Sequence, residues 1–119
     1  MFCEHKDAYG KCKIDIDKDD TWTISSWHVK EEYQNAGHGK RLLAETVSDL
    51  LSLGYEPTKI RYIWDGQNKY VYKWLKQFKA KSMVNLNVVK YSPDDDWESH
   101  IYDLDMELFL QYCKKVNAA

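Results

Sequence analysis

Hydrophobic and polar positions alternate cleanly from Lys11 to Asp17, with Cys12, Ile14 and Ile16 set against Lys13, Asp15 and Asp17. That period of two belongs to a half-buried strand. Lys18-Asp19-Asp20 is a polar break, and Thr21 to Val29 is β-branched and aromatic. Trp22 and Ile24 face one way and Trp27 and Val29 the other. The run therefore reads as a central strand covered on both faces, paired back on the first as a hairpin. From Gly39 the period changes. Leu43, Val47, Leu50 and Leu51 recur at helical spacing, and Gly54 stands where a helix stop belongs. Glu56-Pro57-Thr58 is a loop, Lys59 to Trp64 a short strand and Asp65-Gly66 its turn. Asn68 can cap a second helix with the core stripe Val71, Leu75 and Phe78. Met83 to Tyr91 reads as a strand, Ser92 to Trp97 as an acidic loop, His100 to Met106 as a last strand and Leu108 to Val116 as a closing helix. The order ββαβαββ(α) predicts a mixed α/β (α+β) fold, with two main helices covering a largely antiparallel sheet.

With 119 residues, one domain spanning 1–119 is expected, since two cores would each be too small to hold. The composition, 44% hydrophobic and 30% charged, excludes intrinsic disorder. No apolar run reaches the ~18 residues of a membrane span, and Met-Phe-Cys-Glu-His-Lys lacks the apolar core of a signal peptide. Cys3, Cys12 and Cys113 share no metal-like spacing. They are expected as reduced thiols, in a cytoplasm and without a metal. A net charge of -2 and a pI near 6.1 argue against a nucleic-acid binder. The balance hides polarity: Lys59 to Lys81 holds seven basic residues and one acid, and Asp94 to Glu107 holds seven acids and no Lys or Arg. Such runs are either solvated faces or fields that attract ligands of opposite sign.

Gln34-Asn35-Ala36-Gly37-His38-Gly39-Lys40 lies between the central strand and the long helix. Its glycines let the backbone bend and approach a ligand, and the helix behind it offers unpaired N–H groups and a positive dipole end, suited to a phosphate. The segment is neither a Rossmann fingerprint, because Leu42 replaces the third glycine, nor a Walker loop, because Gln34 and Arg41 replace its first Gly and its Ser/Thr. What remains is Gln/Arg-x-x-Gly-x-Gly/Ala. In its context, with Val29 five residues before Gln34 and Asn68 opening a second helix after a second strand, it resembles the pyrophosphate loop of the GNAT superfamily of acyl-CoA-dependent N-acyltransferases. The resemblance covers about Thr21 to Tyr91.

It implies that the two central strands splay apart and hold the pantetheine arm of acetyl-CoA. Trp27, His28 and Val29 match the strand segment that pairs with that arm. Gln34, Asn35, Ala36, Gly37, His38, Gly39 and Lys40 match the loop around the pyrophosphate. Asn68 matches an Asn that contacts the cofactor, and it can cap its helix at the same time. The implied activity is direct acetyl transfer to a primary amine, on a small molecule or a protein.

An amine with a pKa near 10.4 must lose a proton before it attacks. The family often uses a Glu on the central strand, and Trp22 to Val29 holds no acid. His28 is the titratable group there, as a base or as a structural histidine, and Asp65 is the nearest carboxylate. The Tyr that the family offers the leaving thiolate is replaced by Leu75. Tyr72 is then preferred as the general acid over Tyr70. These departures leave a second reading open, a module that binds coenzyme A or a partner protein without turnover. Lys69, Lys73 and Lys76 form a stripe on this helix, either a solvated face or an attraction for the phosphates of coenzyme A. Only Met1 to Gly10 precede the hairpin, room for one short strand, where the family carries a strand and helices that wall the acceptor site. An open acceptor side is expected, and a homodimer that covers a partly bare face bearing Cys12, Ile14 and Ile16. Asp94, Asp95, Asp96 and Glu98 are either a solvated turn or a field that steers a cationic acceptor.

Overall fold

The computed structural model describes residues 1–64, 69–79, 81–82 and 100–118. Met1 to Gly10 supplies strand β1 (Phe2–Lys6), and the alternating run becomes β2 (Gly10–Ile16). The central run is β3 (Thr21–Val29), and β1–β2–β3 is an antiparallel meander. Aspartates make both turns. The Asp7 carboxylate accepts from the N–H groups of Tyr9 and Gly10, and Asp17 accepts from those of Asp19 and Thr21. After a short 3-10 turn at Glu31–Tyr33 comes helix α1 (His38–Ser52), then β4 (Lys59–Trp64), helix α2 (Lys69–Lys76), β5 (Lys81–Ser82), β6 (His100–Leu104) and helix α3 (Met106–Ala118). Among the described residues the sheet has six strands in the order β1-β2-β3-β4-β6-β5. The β3–β4 pairing is parallel and the others are antiparallel.

The core lies on one face of this sheet. Cross-strand partners share a face, and the rows Ile16–Trp22–Ile60–Leu104 and Ile14–Ile24–Tyr62–Tyr102 point to the helices. Leu42, Leu43, Val47 and Leu50 of α1, Leu75 and Phe78 at the end of α2, and Phe109 and Cys113 of α3 complete the cluster. Each large side chain buried this way contributes roughly 1.5–3 kcal/mol. The hydroxyl of buried Thr46 donates to the carbonyl of Leu42 at 2.7 Å, so no orphan donor is left there. Burial pushes the Cys12 and Cys113 thiols up to about 12, as free thiols inside an apolar core.

The opposite face is polar. It presents Lys11, Lys13 and Asp15 of β2, Thr23, Ser26 and His28 of β3, and the ion pair Arg61–Asp103 between β4 and β6. The expectation of a strand covered on both faces is thereby corrected for the described residues, among which helices cover one face of β3 only. The reason is a β-bulge. Lys13 pairs with Ser26 but Ile14 pairs with Ile24, so Ser25 is left without a partner. The extra residue shifts the parity, and Trp27 joins Trp22 and Ile24 on the helix side.

Other differences have local causes. Leu51, read as part of the helical stripe, is exposed at 43%, and Leu42, Ala44 and Thr46 take the buried side of α1 instead. The helix ends as Gly54 predicts, with Tyr55 N–H bonded to Leu50 and Gly54 N–H bonded to Leu51. The last strand stops at Leu104, two residues early, because the Asp105 carboxylate accepts the Leu108 N–H and starts α3 at Met106. Among the described residues α3 is the closing helix that the sequence predicts, begun two residues early, and it packs the sheet together with α1 and α2. Cys12, Ile14 and Ile16 are buried beneath them, which removes the bare hairpin face on which the homodimer was expected. The predicted strand Met83 to Tyr91 and acidic segment Asp94 to Glu98 lie outside the described residues, apart from neighbouring β5.

Candidate functional site

Two features of the backbone meet at the end of β3. The first is a gap in the sheet. β4 pairs with β3 only from Thr21 to Ile24, yet β3 continues to Val29. The strands part immediately beyond the bulge, so Ser25 to Val29 present one edge of backbone N–H and C=O groups without a β4 partner. This is the splay of central strands that the sequence implies.

The second feature is the loop that follows. Asn35 and Gly37 both have left-handed backbones, with φ of 64° and 84°. A Cβ added at Gly37 would meet no atom within 4 Å, so its glycine is needed for the conformation and not for room. Gly37 is the N-cap of α1 and provides no side-chain cap, and the first turn holds no acid. Among the described residues no side chain caps the leading N–H groups of α1, where the helix dipole favours an anion. Gly39 works differently. Its added Cβ would lie 3.4 Å from Val29 Cγ2 and 3.6 Å from Trp27 Nε1, so it faces the strand.

Side chains lock this loop to β3. Trp27 Nε1 donates to the Gly39 carbonyl at 2.9 Å, and Gln34 Nε2 donates to the Val29 carbonyl at 3.1 Å. Gln34 is therefore engaged in closing the loop onto the strand end. His38 stacks on Tyr9, with centroids 3.9 Å apart and planes at 10°, and Tyr33 meets Tyr9 edge-on. Arg41, one turn into α1, bonds Asp7 at 2.7 Å and Glu45 at 3.2 Å. The Arg41 hydrogen bond and those from the Tyr9 and Gly10 N–H groups hold the Asp7 carboxyl below its usual range. Trp27, Val29, Gln34, Asn35, Ala36, Gly37, His38, Gly39 and Lys40 are thus brought together. His28 pairs with Lys11 on the open polar face, exposed and across the strand from Trp27. Asp65 and Asn68 lie outside the described residues. Tyr72 falls on α2, with its side chain outside the description.

Three aromatic rings that no pattern in the sequence connects meet on the helix side of β3 and β4. Trp27 on β3 lies 4.7 Å from Trp74 of α2 and 6.1 Å from Tyr62 of β4, and Trp74 and Tyr62 are 5.8 Å apart, ring centroid to centroid. Phe78, at 4.8 Å, and Phe109 and Tyr112, at 6.5 and 6.2 Å, back Trp74. Burial raises the Tyr112 phenol pKa, and the neighbouring Trp74 indole partly offsets the rise. Trp74 stands one residue before the predicted core position Leu75, and the helical pattern alone gives no sign that it reaches β3.

No family model and no curated protein matches this sequence. Solved structures do match in three dimensions. A nourseothricin acetyltransferase superposes with a TM-score of 0.62 at 12% identity, over 81% of this chain and 56% of that one. A GNAT-family acetyltransferase from Desulfovibrio desulfuricans superposes with a TM-score of 0.58 at 20% identity, over 87% and 67%. This chain has the GNAT fold. A Bacillus subtilis acetyltransferase solved with CoA also matches, with a TM-score of 0.56 at 15% identity over 85% and 71%. The chain spans little more than half the length of the nourseothricin enzyme. At these identities the likeness is one of fold. No helix among the described residues is long and apolar enough to cross a membrane, and no cluster of His, Cys, Asp and Glu there could hold a metal ion.

Proposed function

We propose that this protein is an N-acyltransferase that moves an acetyl group from acetyl-CoA to a primary amine. The observation that carries the reading is the left-handed, uncapped and acid-free entry to α1 at Gly37, set at the end of the strand that leaves its neighbour. The N–H groups of His38, Gly39 and Lys40 would take the pyrophosphate, with Asn35 and Ala36 shaping the approach. The backbone edge of Trp27, His28 and Val29, which has no β4 partner, would pair with the amides of the pantetheine arm, beside the Val29 carbonyl that already accepts from Gln34. Asn68 is assigned to the same cofactor.

The amine approaches from the polar face, since the helices close the other. Its nitrogen attacks the thioester carbon, the C–N bond forms, and the C–S bond breaks with coenzyme A leaving as its thiolate. His28, exposed on that face, is assigned to receive the amine proton directly or through water, with Asp65, the nearest carboxylate candidate, as the alternative. Tyr72 is assigned to return a proton to the thiolate. The acceptor is a small-molecule or protein amine, and the cytoplasm is the proposed compartment.

Calorimetry with acetyl-CoA and a thiol-release assay over a panel of amines test this. Binding with turnover, lost at least tenfold in His28→Ala, supports the assignment. Binding without thiol release for any amine would make the protein a coenzyme A-binding module, a reading favoured by the lack of an acid on β3. No binding at all overturns both.

A further inference from the structure

We infer that Trp27, Tyr62 and Trp74 restrict the transferred group to short acyl chains, acetyl and propionyl, and exclude butyryl and longer. The inference rests on the reading above and adds what that reading leaves open. A thioester lying between Ser25–Val29 and the end of β4 has the polar face on one side and the helix face on the other. The amine needs the polar side, so the alkyl end of the acyl group must turn toward the helices. There it meets the three rings, one from β3, one from β4 and one from α2, within 4.7 to 6.1 Å of each other, centroid to centroid.

These rings are held in place. Trp27 is fixed by its 2.9 Å bond to Gly39 in the phosphate loop, so its ring cannot swing aside without loosening the anion site. Tyr62 is buried in the sheet. Trp74 leans on Phe78, Phe109 and Tyr112, and moving it means moving α2 against α3. A packed interior does not yield to extra methylenes freely. Forcing them in weakens binding about five- to a hundredfold.

The test is calorimetry on the full chain with free CoA, acetyl-CoA, butyryl-CoA and hexanoyl-CoA. Free CoA and acetyl-CoA should bind with similar affinity, and butyryl- and hexanoyl-CoA at least tenfold more weakly than acetyl-CoA. Trp74→Leu and the milder Trp74→Phe open the wall. The readout is the ratio of hexanoyl-CoA to acetyl-CoA dissociation constants within each variant, so a general loss of affinity cancels. That ratio should fall at least fivefold in Trp74→Leu. Where that variant does not fold, a fall of at least twofold in Trp74→Phe carries the test. Free CoA that fails to bind the wild type overturns the functional reading, and this inference with it. Free CoA that binds alongside equally tight hexanoyl-CoA, or an unchanged ratio in the folded variants, overturns the inference alone.

Discussion

The two glycines of the Gly37-His38-Gly39 segment look equivalent in the sequence, and the structure predicts opposite responses to the same substitution. Gly37 has φ of 84°, where an L-residue costs roughly 1–2 kcal/mol, and no neighbour lies within 4 Å to add a clash or a contact. Gly37→Ala should therefore lose about that much stability through backbone conformation alone. Gly39 lies inside α1, and an alanine Cβ there would rest 3.4 Å from Val29 Cγ2, at the edge of ordinary van der Waals contact. Alanine gains up to ~1 kcal/mol of helix propensity over glycine. Gly39→Ala should fall between neutral and slightly stabilising. With an urea m-value of about 2 kcal/mol/M, Gly37→Ala lowers the unfolding midpoint by roughly 0.5–1 M, and Gly39→Ala leaves it in place or raises it. Urea unfolding followed by tryptophan fluorescence measures both. Equal losses, or a larger loss at Gly39, would refute the reasoning, because the glycines would then be serving packing and not the left-handed turn. A larger side chain at Gly39 would press on Val29 and Trp27.

Gly10 pairs with Val29, and a Cβ there would sit 2.1 Å from the His28 carbonyl oxygen. Gly10→Ala must push β2 and β3 apart at the site, so it should cost at least ~2 kcal/mol in urea unfolding, and an unchanged midpoint would count against that geometry. Asp7, with its carboxyl pKa lowered chiefly by the Arg41 hydrogen bond, supplies stability that is present above its unfolded value near ~3.9 and is lost as the pH falls through the folded value. Asp7→Asn should therefore show a shallower loss of stability below about pH 4 than the wild type, and parallel acid limbs would contradict the assignment.

Much of this fold was legible because period and punctuation agreed. The alternation of Cys12, Ile14 and Ile16 marked β2, and the switch to helical spacing marked α1. Glycine at 54 closed that helix, and glycines at 37 and 39 flagged the loop, since the few backbones that need glycine are those that bend or approach closely. The errors came from contacts that have no local signature. Nothing in Thr21 to Val29 announces that Ser25 has no cross-strand partner, so plain alternation puts Trp27 on the wrong face. Asp105 reads as one more acid in an acidic stretch, and its role as a cap emerges only where β6 runs out. Tyr62 and Trp74 reach Trp27 across a parallel crossover, and no spacing rule connects residues so far apart in the chain. The loop was readable, while the wall of the gap was a tertiary event.

Ser25 links these observations and permits a last prediction. The row partners on β2 run Cys12, Lys13, Ile14, and on β3 they run Trp27, Ser26, Ile24, with Ser25 as the one residue left over. A bulge bends its strand and strengthens the local twist, and it is at this residue that β3 stops pairing with β4. Deleting Ser25 would leave Ile24, Ser26 and Trp27 in plain alternation. Every core residue would keep its partner, and the weak bond from the Ser25 hydroxyl to the Lys13 carbonyl, 3.5 Å long, is all that is lost among side chains. The shortened chain should fold, with a urea midpoint within about 0.5 M of the wild type. Without the bend, β3 can follow β4 past Ile24, pair its free edge with Ile63 and Trp64, and close the gap. Affinity for acetyl-CoA should then fall at least tenfold, although the phosphate loop is untouched. A deletion variant that unfolds would show that the bulge serves packing of Trp27 rather than the opening. One that folds and binds acetyl-CoA as tightly as the wild type would show that the gap has another cause.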